Sequence, residues 1–267
     1  MIDGYFPSAA GALFYPVDGA PSAPWIVLSN SLAADCGMWQ LQIPLLTRRY
    51  RVLRYDTRGH GASDAPRGPY SLTALVDDVV GLMDHLGIGQ ATYLGLSMGG
   101  MTGLGLALSR PERVSRLVCC AARADAPAAF IESWDQRIAA VRQGGMAAIV
   151  DGTMARWLSP ATLTDRPDVV AGVRAMILRT QVGGYVSCAE GLKGLAYRSL
   201  LGNIRTPALF VAGQRDEGAP APVMAEMAAM VPGAVFAAVD NAAHLVNLDN
   251  PLGFERAISE FLDLPAA

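Results

Sequence analysis

From residue 25 onward, short apolar runs rich in β-branched and aromatic residues alternate with segments of helical periodicity. Few folds accept that alternation. Brief apolar runs bounded by turn signals read as buried strands, and helices between them force neighbouring strands to run parallel. The runs are residues 25–29, 51–55, 91–96, 115–121, 208–212 and 234–239. Segment 71–86 shows the helical period most clearly, with Leu72, Leu75, Val76, Val79, Met83 and Leu86 on one face and Asp77, Asp78 and His85 opposite. The expected class is α/β, with a mostly parallel central sheet flanked by helices. Ahead of it, residues 12–17 and their Pro/Gly-rich flanks suggest a leading antiparallel hairpin, with Pro16 counting against a regular strand.

The interval between the runs ending near Ala122 and starting near Ala208 is about 85 residues, where a crossover with its helix needs only about 10 to 12. It holds helical patterns at 131–142, 146–157, 169–180 and 185–195. The expected organisation is a core of residues 1–124 and 205–267 with an inserted helical lid, 125–204. A 52% apolar chain with 17% charged residues has ample core and is not disordered. Its net charge of -3, with 21 basic and 24 acidic residues interleaved, leaves no footprint for nucleic acid. The N-terminus has neither a basic region nor an unbroken apolar run, and no stretch is long enough to span a bilayer. A cytoplasmic protein is expected. Cys36, Cys119, Cys120 and Cys188 have no C-x-x-C spacing, so reduced, mostly buried thiols are expected. A monomer is compatible with all of this.

Gly95-Leu96-Ser97-Met98-Gly99 matches G-x-S-x-G between a predicted strand and a predicted helix. At such a turn the serine is held in a strained backbone and its hydroxyl projects into the open, while the glycines avoid clashes with neighbouring backbone. Ser97 is the expected nucleophile. A hydroxyl needs a base to take its proton, and a carboxylate to orient that base. Of the three histidines, His85 shares a polar helix face with Asp78, and His60 lies on a loop that could line the cleft but precedes the serine. His244 follows the last predicted strand, in the order serine, acid, histidine associated with this turn. Asp216, directly after the run 208–212, is the expected acid, with Asp125 after the preceding strand as the alternative; Asp240 and Asp249 read as surface or capping residues. Charge developing on a substrate oxygen calls for two backbone amides. Met98 is one and Leu32 the other, with Ser31 the alternative.

With these motifs in place, the chain resembles the α/β-hydrolase family over nearly its full length. Gly95 to Gly100, Asp56-Thr57-Arg58-Gly59-His60-Gly61-Ala62-Ser63, Asp216 and His244 carry the fold-level likeness. Leu28-Ser29-Asn30-Ser31-Leu32, Arg54 to Arg58, Gly68-Pro69-Tyr70-Ser71, and Trp134 with Arg137 are similar to the 3-oxoadipate enol-lactonase subgroup. The chain departs from the family at Glu217-Gly218-Ala219-Pro220, where a Thr-Pro pair is more common. The resemblance implies opening of 3-oxoadipate enol-lactone to 3-oxoadipate in bacterial aromatic catabolism, without cofactor. Such a substrate is a small lactone bearing a carboxylate. Ser31, Trp134 and Arg137 are then expected to line it, Arg137 clamping the carboxylate from the same helix face as Trp134; otherwise Trp134 packs the lid and Arg137 is a solvated charge. Two enzymatic alternatives are a broad carboxylesterase or lactonase and a carbon–carbon bond hydrolase; a ligand receptor is the non-enzymatic one. Dehalogenase or epoxide chemistry would want an aspartate where Ser97 stands.

Overall fold

The computed structural model describes residues 2–8 and 11–265. Eight strands form one sheet: β1 (Ile2–Ser8), β2 (Gly11–Asp18), β3 (Trp25–Ser29), β4 (Arg51–Arg54), β5 (Ala91–Leu96), β6 (Val114–Cys120), β7 (Ala208–Gly213) and β8 (Val235–Val239). Their order is β1-β2-β4-β3-β5-β6-β7-β8, with only the β1–β2 and β2–β4 pairs antiparallel. Helices α1 (Ile43–Leu46), α2 (Leu72–His85) and α3 (Met98–Ser109) precede β6. Between β6 and β7 come α4 (Ala128–Gly144), α5 (Val150–Trp157), α6 (Pro160–Asp165), α7 (Pro167–Arg179) and α8 (Val182–Leu192). Helix α9 (Ala221–Met230) connects β7 to β8, and α10 (Val246–Asp249) and α11 (Pro251–Ser259) close the chain.

Burial follows the sheet order. Every residue of β5 and β7 is buried, as continuous apolar runs flanked on both faces require, whereas β1 and β8 at the edges alternate with exposed positions. Pro16 sits inside β2 opposite Asp3. It shares a side of the strand with Ala12 and Phe14, whose amides bond Asp64 and Ser63 rather than β1, so the missing N–H costs the hairpin ladder nothing. Among the described residues no helix is long and apolar enough to cross a membrane. The four cysteines are free, three of them buried.

Two local readings are corrected. Asp78 is not on a solvated face: it is 5% exposed and receives both ends of the Arg58 guanidinium, at 2.6 and 2.5 Å. His85 remains exposed at the end of α2, its ring 5.3 Å from that of Phe6. The pattern at 146–157 is two elements, a 3₁₀ turn at Met146–Ala148 and then α5. Helix α6 escaped the periodicity because six residues are too few to show it, although Ser159 capping Thr162 with Pro160 in the first turn is a start signal.

Parallel strands deliver their following loops to one edge of the sheet. The turn after β5 is the tightest. Ser97 takes φ 58° and ψ −116°, and its amide donates to Cys120 O at 2.8 Å while that of Gly99 donates to Asn30 O at 3.0 Å. A Cβ at Gly95 would run into the Gly99 carbonyl, and one at Gly99 into the Ser29 carbonyl. Gly99→Ala is therefore expected to lower the unfolding free energy by about 3 kcal/mol, read as a lower urea midpoint at unchanged slope.

Candidate active site

Five loops meet at the carboxyl edge of the sheet: those after β3, β5, β6, β7 and β8. Ser97 Oγ lies 2.9 Å from His244 Nε2, and His244 Nδ1 lies 2.8 Å from Asp216 Oδ2. The other oxygen of Asp216 accepts from the amides of Gly218 at 2.8 Å and Ala219 at 3.1 Å. Burial alone would raise the Asp216 carboxyl, but the neighbouring His244 and these donors hold it below the usual carboxylate range. An ionised Asp216 can only accept, so the His244 proton sits on Nδ1 and Nε2 is left to accept from the Ser97 hydroxyl. The Trp157 ring stacks on the imidazole, with centroids 6.2 Å apart.

The two other acid–base candidates lie elsewhere. Asp125 forms a bridge with Ala196 and pairs with Arg123 at 3.5 Å rather than meeting His244. His60 is fully buried, and its Nδ1 lies 3.1 Å from Arg58 O. It does not line the cleft, and burial holds its imidazole at about 4. Its loop is a fastening: Asp56 accepts from Cys36 N at 2.7 Å and Ala62 N at 2.8 Å, tying the loop after β4 to the one after β3.

That tie helps shape the amide pair. Asn30 is held by its side chain, which donates to Tyr55 O at 2.7 Å and accepts from Trp39 Nε1 at 2.9 Å. The Ser31 amide is directed to Met38 Sδ at 3.5 Å. Among the described residues the amides of Leu32 and Met98 have no partner within the chain, so of the two amides weighed after β3 it is Leu32 that is free.

Ser97 and His244 open into a cavity of about 370 Å³. Its lining includes Ser31, Leu32, Trp134 and Arg137, and also Arg123, Arg156 and Tyr185, which the sequence analysis did not single out. Arg137 is half-buried with its guanidinium 4.6 Å from the Trp134 ring centroid. Asp249, expected to be a surface or capping residue, is 7% exposed and gathers donors from two directions. Ser159 donates through its amide at 3.0 Å and its hydroxyl at 2.8 Å, and Ala243, next to His244, donates at 2.6 Å. Leu245 N also donates to Trp157 O at 3.0 Å. The helical insertion is thus fastened to the histidine loop. No sequence signal marks Asp249, since Asp249-Asn250-Pro251 reads as an ordinary helix start, and Arg156 falls within the helical pattern 146–157 with nothing to single it out.

Among the described residues no group of three or more His, Cys, Asp or Glu is arranged to hold a metal ion. A family profile described as alpha/beta hydrolase fold matches residues 24–162. The chain is similar to 3-oxoadipate enol-lactonase 2 of Acinetobacter baylyi, 36% identical over 92% of this chain and 91% of that one. Among solved structures it is similar to the enol-lactonase from Burkholderia xenovorans LB400, with a TM-score of 0.93 and 38% identity over 97% of this chain and 100% of that one. It is also similar to a thermophilic esterase from Thermogutta terrifontis solved with malate bound, with a TM-score of 0.91 and 28% identity over 98% of each.

Two outcomes follow from the buried polar groups. Asp249→Ala strands three donors and should cost about 3 kcal/mol of stability, measured by urea unfolding. For His60, the unfolded chain takes up its proton near pH 6.5 and the folded chain only near pH 4. The folded state is thus not penalised above pH 6.5 and loses stability as pH falls below it. Between pH 7.5 and 5 the loss from His60 should be about 2 kcal/mol, and His60→Gln should show a correspondingly flatter profile.

Proposed function

The chain belongs to the α/β-hydrolase family as a hydrolase of ester bonds, and on that premise we propose that it opens 3-oxoadipate enol-lactone through an acyl-enzyme on Ser97. The single observation that carries the reading is the continuous relay Asp216–His244–Ser97 at the floor of a cavity whose wall bears Arg137.

In the proposed reaction the lactone carbonyl lies over Ser97 Oγ and its oxygen faces the free amides of Leu32 and Met98. His244 Nε2 accepts the hydroxyl proton as Oγ attacks, and the imidazolium is steadied by Asp216. The two amides stabilise the oxyanion, each contributing on the order of 3 kcal/mol. Collapse breaks the ring C–O bond. The leaving oxygen departs as an enolate, which is a weaker base than an alkoxide, takes the proton from His244 and settles as the ketone. Water then loses a proton to Nε2, attacks the acyl carbon and releases 3-oxoadipate, restoring the Ser97 hydroxyl.

Recognition falls to the insertion, residues 125–204, acting as a lid. Trp134 supplies an apolar face for the ring, Arg137 meets the free carboxylate and Ser31 borders the reacting end. The esterase relative from Thermogutta terrifontis was solved with malate, a dicarboxylate, bound. The proposed setting is bacterial aromatic catabolism in the cytoplasm.

The test is turnover of freshly generated 3-oxoadipate enol-lactone, followed by loss of its ultraviolet absorbance. The expected kcat/KM exceeds about 10⁴ M⁻¹s⁻¹, and Ser97→Ala should reduce turnover at least about 10⁴-fold. A rate equal to buffer, in protein that still cleaves an aryl ester, would replace the lactonase reading with that of a broader carboxylesterase.

A further inference from the structure

Two helices of the insertion face each other across the cavity. Trp134 and Arg137 look in from α4, and Thr153, Arg156 and Trp157, three and four residues apart, share one face of α5. Arg156 Nη2 donates to Thr153 Oγ1 at 3.3 Å, and among the described residues neither Arg156 nor Arg137 has a carboxylate within ion-pair distance. The third guanidinium of the cavity, Arg123, differs in having Asp125 at 3.5 Å. The carboxylates bordering the cavity do not neutralise the pair: Asp216 is engaged by His244, and Glu217 is exposed. Burial, and after it the like charge of Arg156, pushes the Arg137 guanidinium below its ordinary value. Two like charges held in a partly desolvated space cost folding free energy that, among the described residues, no paired carboxylate offsets. An anion bound between them would offset it.

We propose that Arg156 is the second half of a two-guanidinium clamp for a carboxylate, so that the site selects esters and lactones whose carbonyl is joined by a short chain to a free carboxylate. The proposal rests on the hydrolase reading above and adds to it a residue and a charge requirement. Guanidinium forks from two helices fix the direction of a carboxylate as well as its charge, which one flexible cation does not. The clamp also shares a wall with the base, because Trp157, the neighbour of Arg156, is the ring that stacks on His244. A carboxylate held there stands at a set reach from Ser97, and substrates without one lose both attraction and alignment.

The test compares two aryl esters that differ in that group, 4-nitrophenyl butyrate and 4-nitrophenyl hydrogen glutarate, in the wild type, Arg156→Gln and Arg156→Lys. The wild type should prefer the glutarate ester in kcat/KM. Arg156→Gln should reduce that preference at least about tenfold, and Arg156→Lys should recover part of it. An unchanged ratio in Arg156→Gln, or an equal fall for both esters, overturns the proposal. Should Arg156→Gln fail to fold, Arg156→Lys decides: its preference for the glutarate ester must fall below that of the wild type, and an unchanged preference overturns the proposal. Neither ester is a lactone. Loss of the enol-lactone reading with the charge preference intact therefore leaves the clamp standing, and the reverse pattern removes the clamp alone.

Discussion

The backbone of Ser97 occupies a region that costs a non-glycine residue on the order of 1–3 kcal/mol, and the rest of the site is arranged around keeping it there. Its amide is tied to Cys120 on β6, and the amide two residues on is tied to Asn30 at the end of β3. The turn is thereby stitched to both neighbours of β5, and a hydrogen bond that secures the strain also immobilises the loop opposite. Because the Asn30 carbonyl is taken by Gly99 and its side chain by Tyr55 and Trp39, the chain beyond it is pinned with the Leu32 amide unpaired. The same network that holds the hydroxyl in the cavity leaves a free donor beside it.

Much of this was legible in the amino-acid order, for physical reasons that also explain what was not. Strands β3, β5 and β7 announce themselves because a strand covered on both faces must be apolar throughout. The elbow is legible because few residue patterns fit between a strand, a helix and a neighbouring carbonyl. Residues whose environment comes from far along the chain were misread or unseen. Asp78 looks solvated on a helical wheel, yet Arg58, twenty residues earlier, buries it. Asp249 looks like a cap, yet its donors are Ser159, ninety residues earlier, and Ala243. The choice between Asp216 and Asp125 turned on which strand end faces His244, and the sheet order decides that at 2.8 Å.

The insertion does more than cover the cavity. Through Asp249, and through Trp157 O with Leu245 N, its α5–α6 joint is continuous with the loop that carries His244. At the opposite side α8 packs Tyr185 near Trp134, with centroids 6.4 Å apart, and Arg179 at the end of α7 pairs with Asp35 in the loop after β3. The cavity walls and the Asp216–His244–Ser97 relay are therefore braced against one another, and the position of the imidazole depends on helices far from it in sequence.

That bracing has an evolutionary side. The walls of the cavity come largely from one uninterrupted stretch of the chain, between β6 and β7, while Ser97, Asp216 and His244 come from outside it, so exchanging that stretch whole would change the walls and leave the relay in place. The Ser159–Asp249 contact sets the toll on such exchanges: an incoming insertion must present a donor at the same place, or the histidine loop of its host loses its anchor. The Leu245–Trp157 hydrogen bond and the Trp157 ring over His244 lie at the same joint, so the insertion and the histidine loop can change only together there.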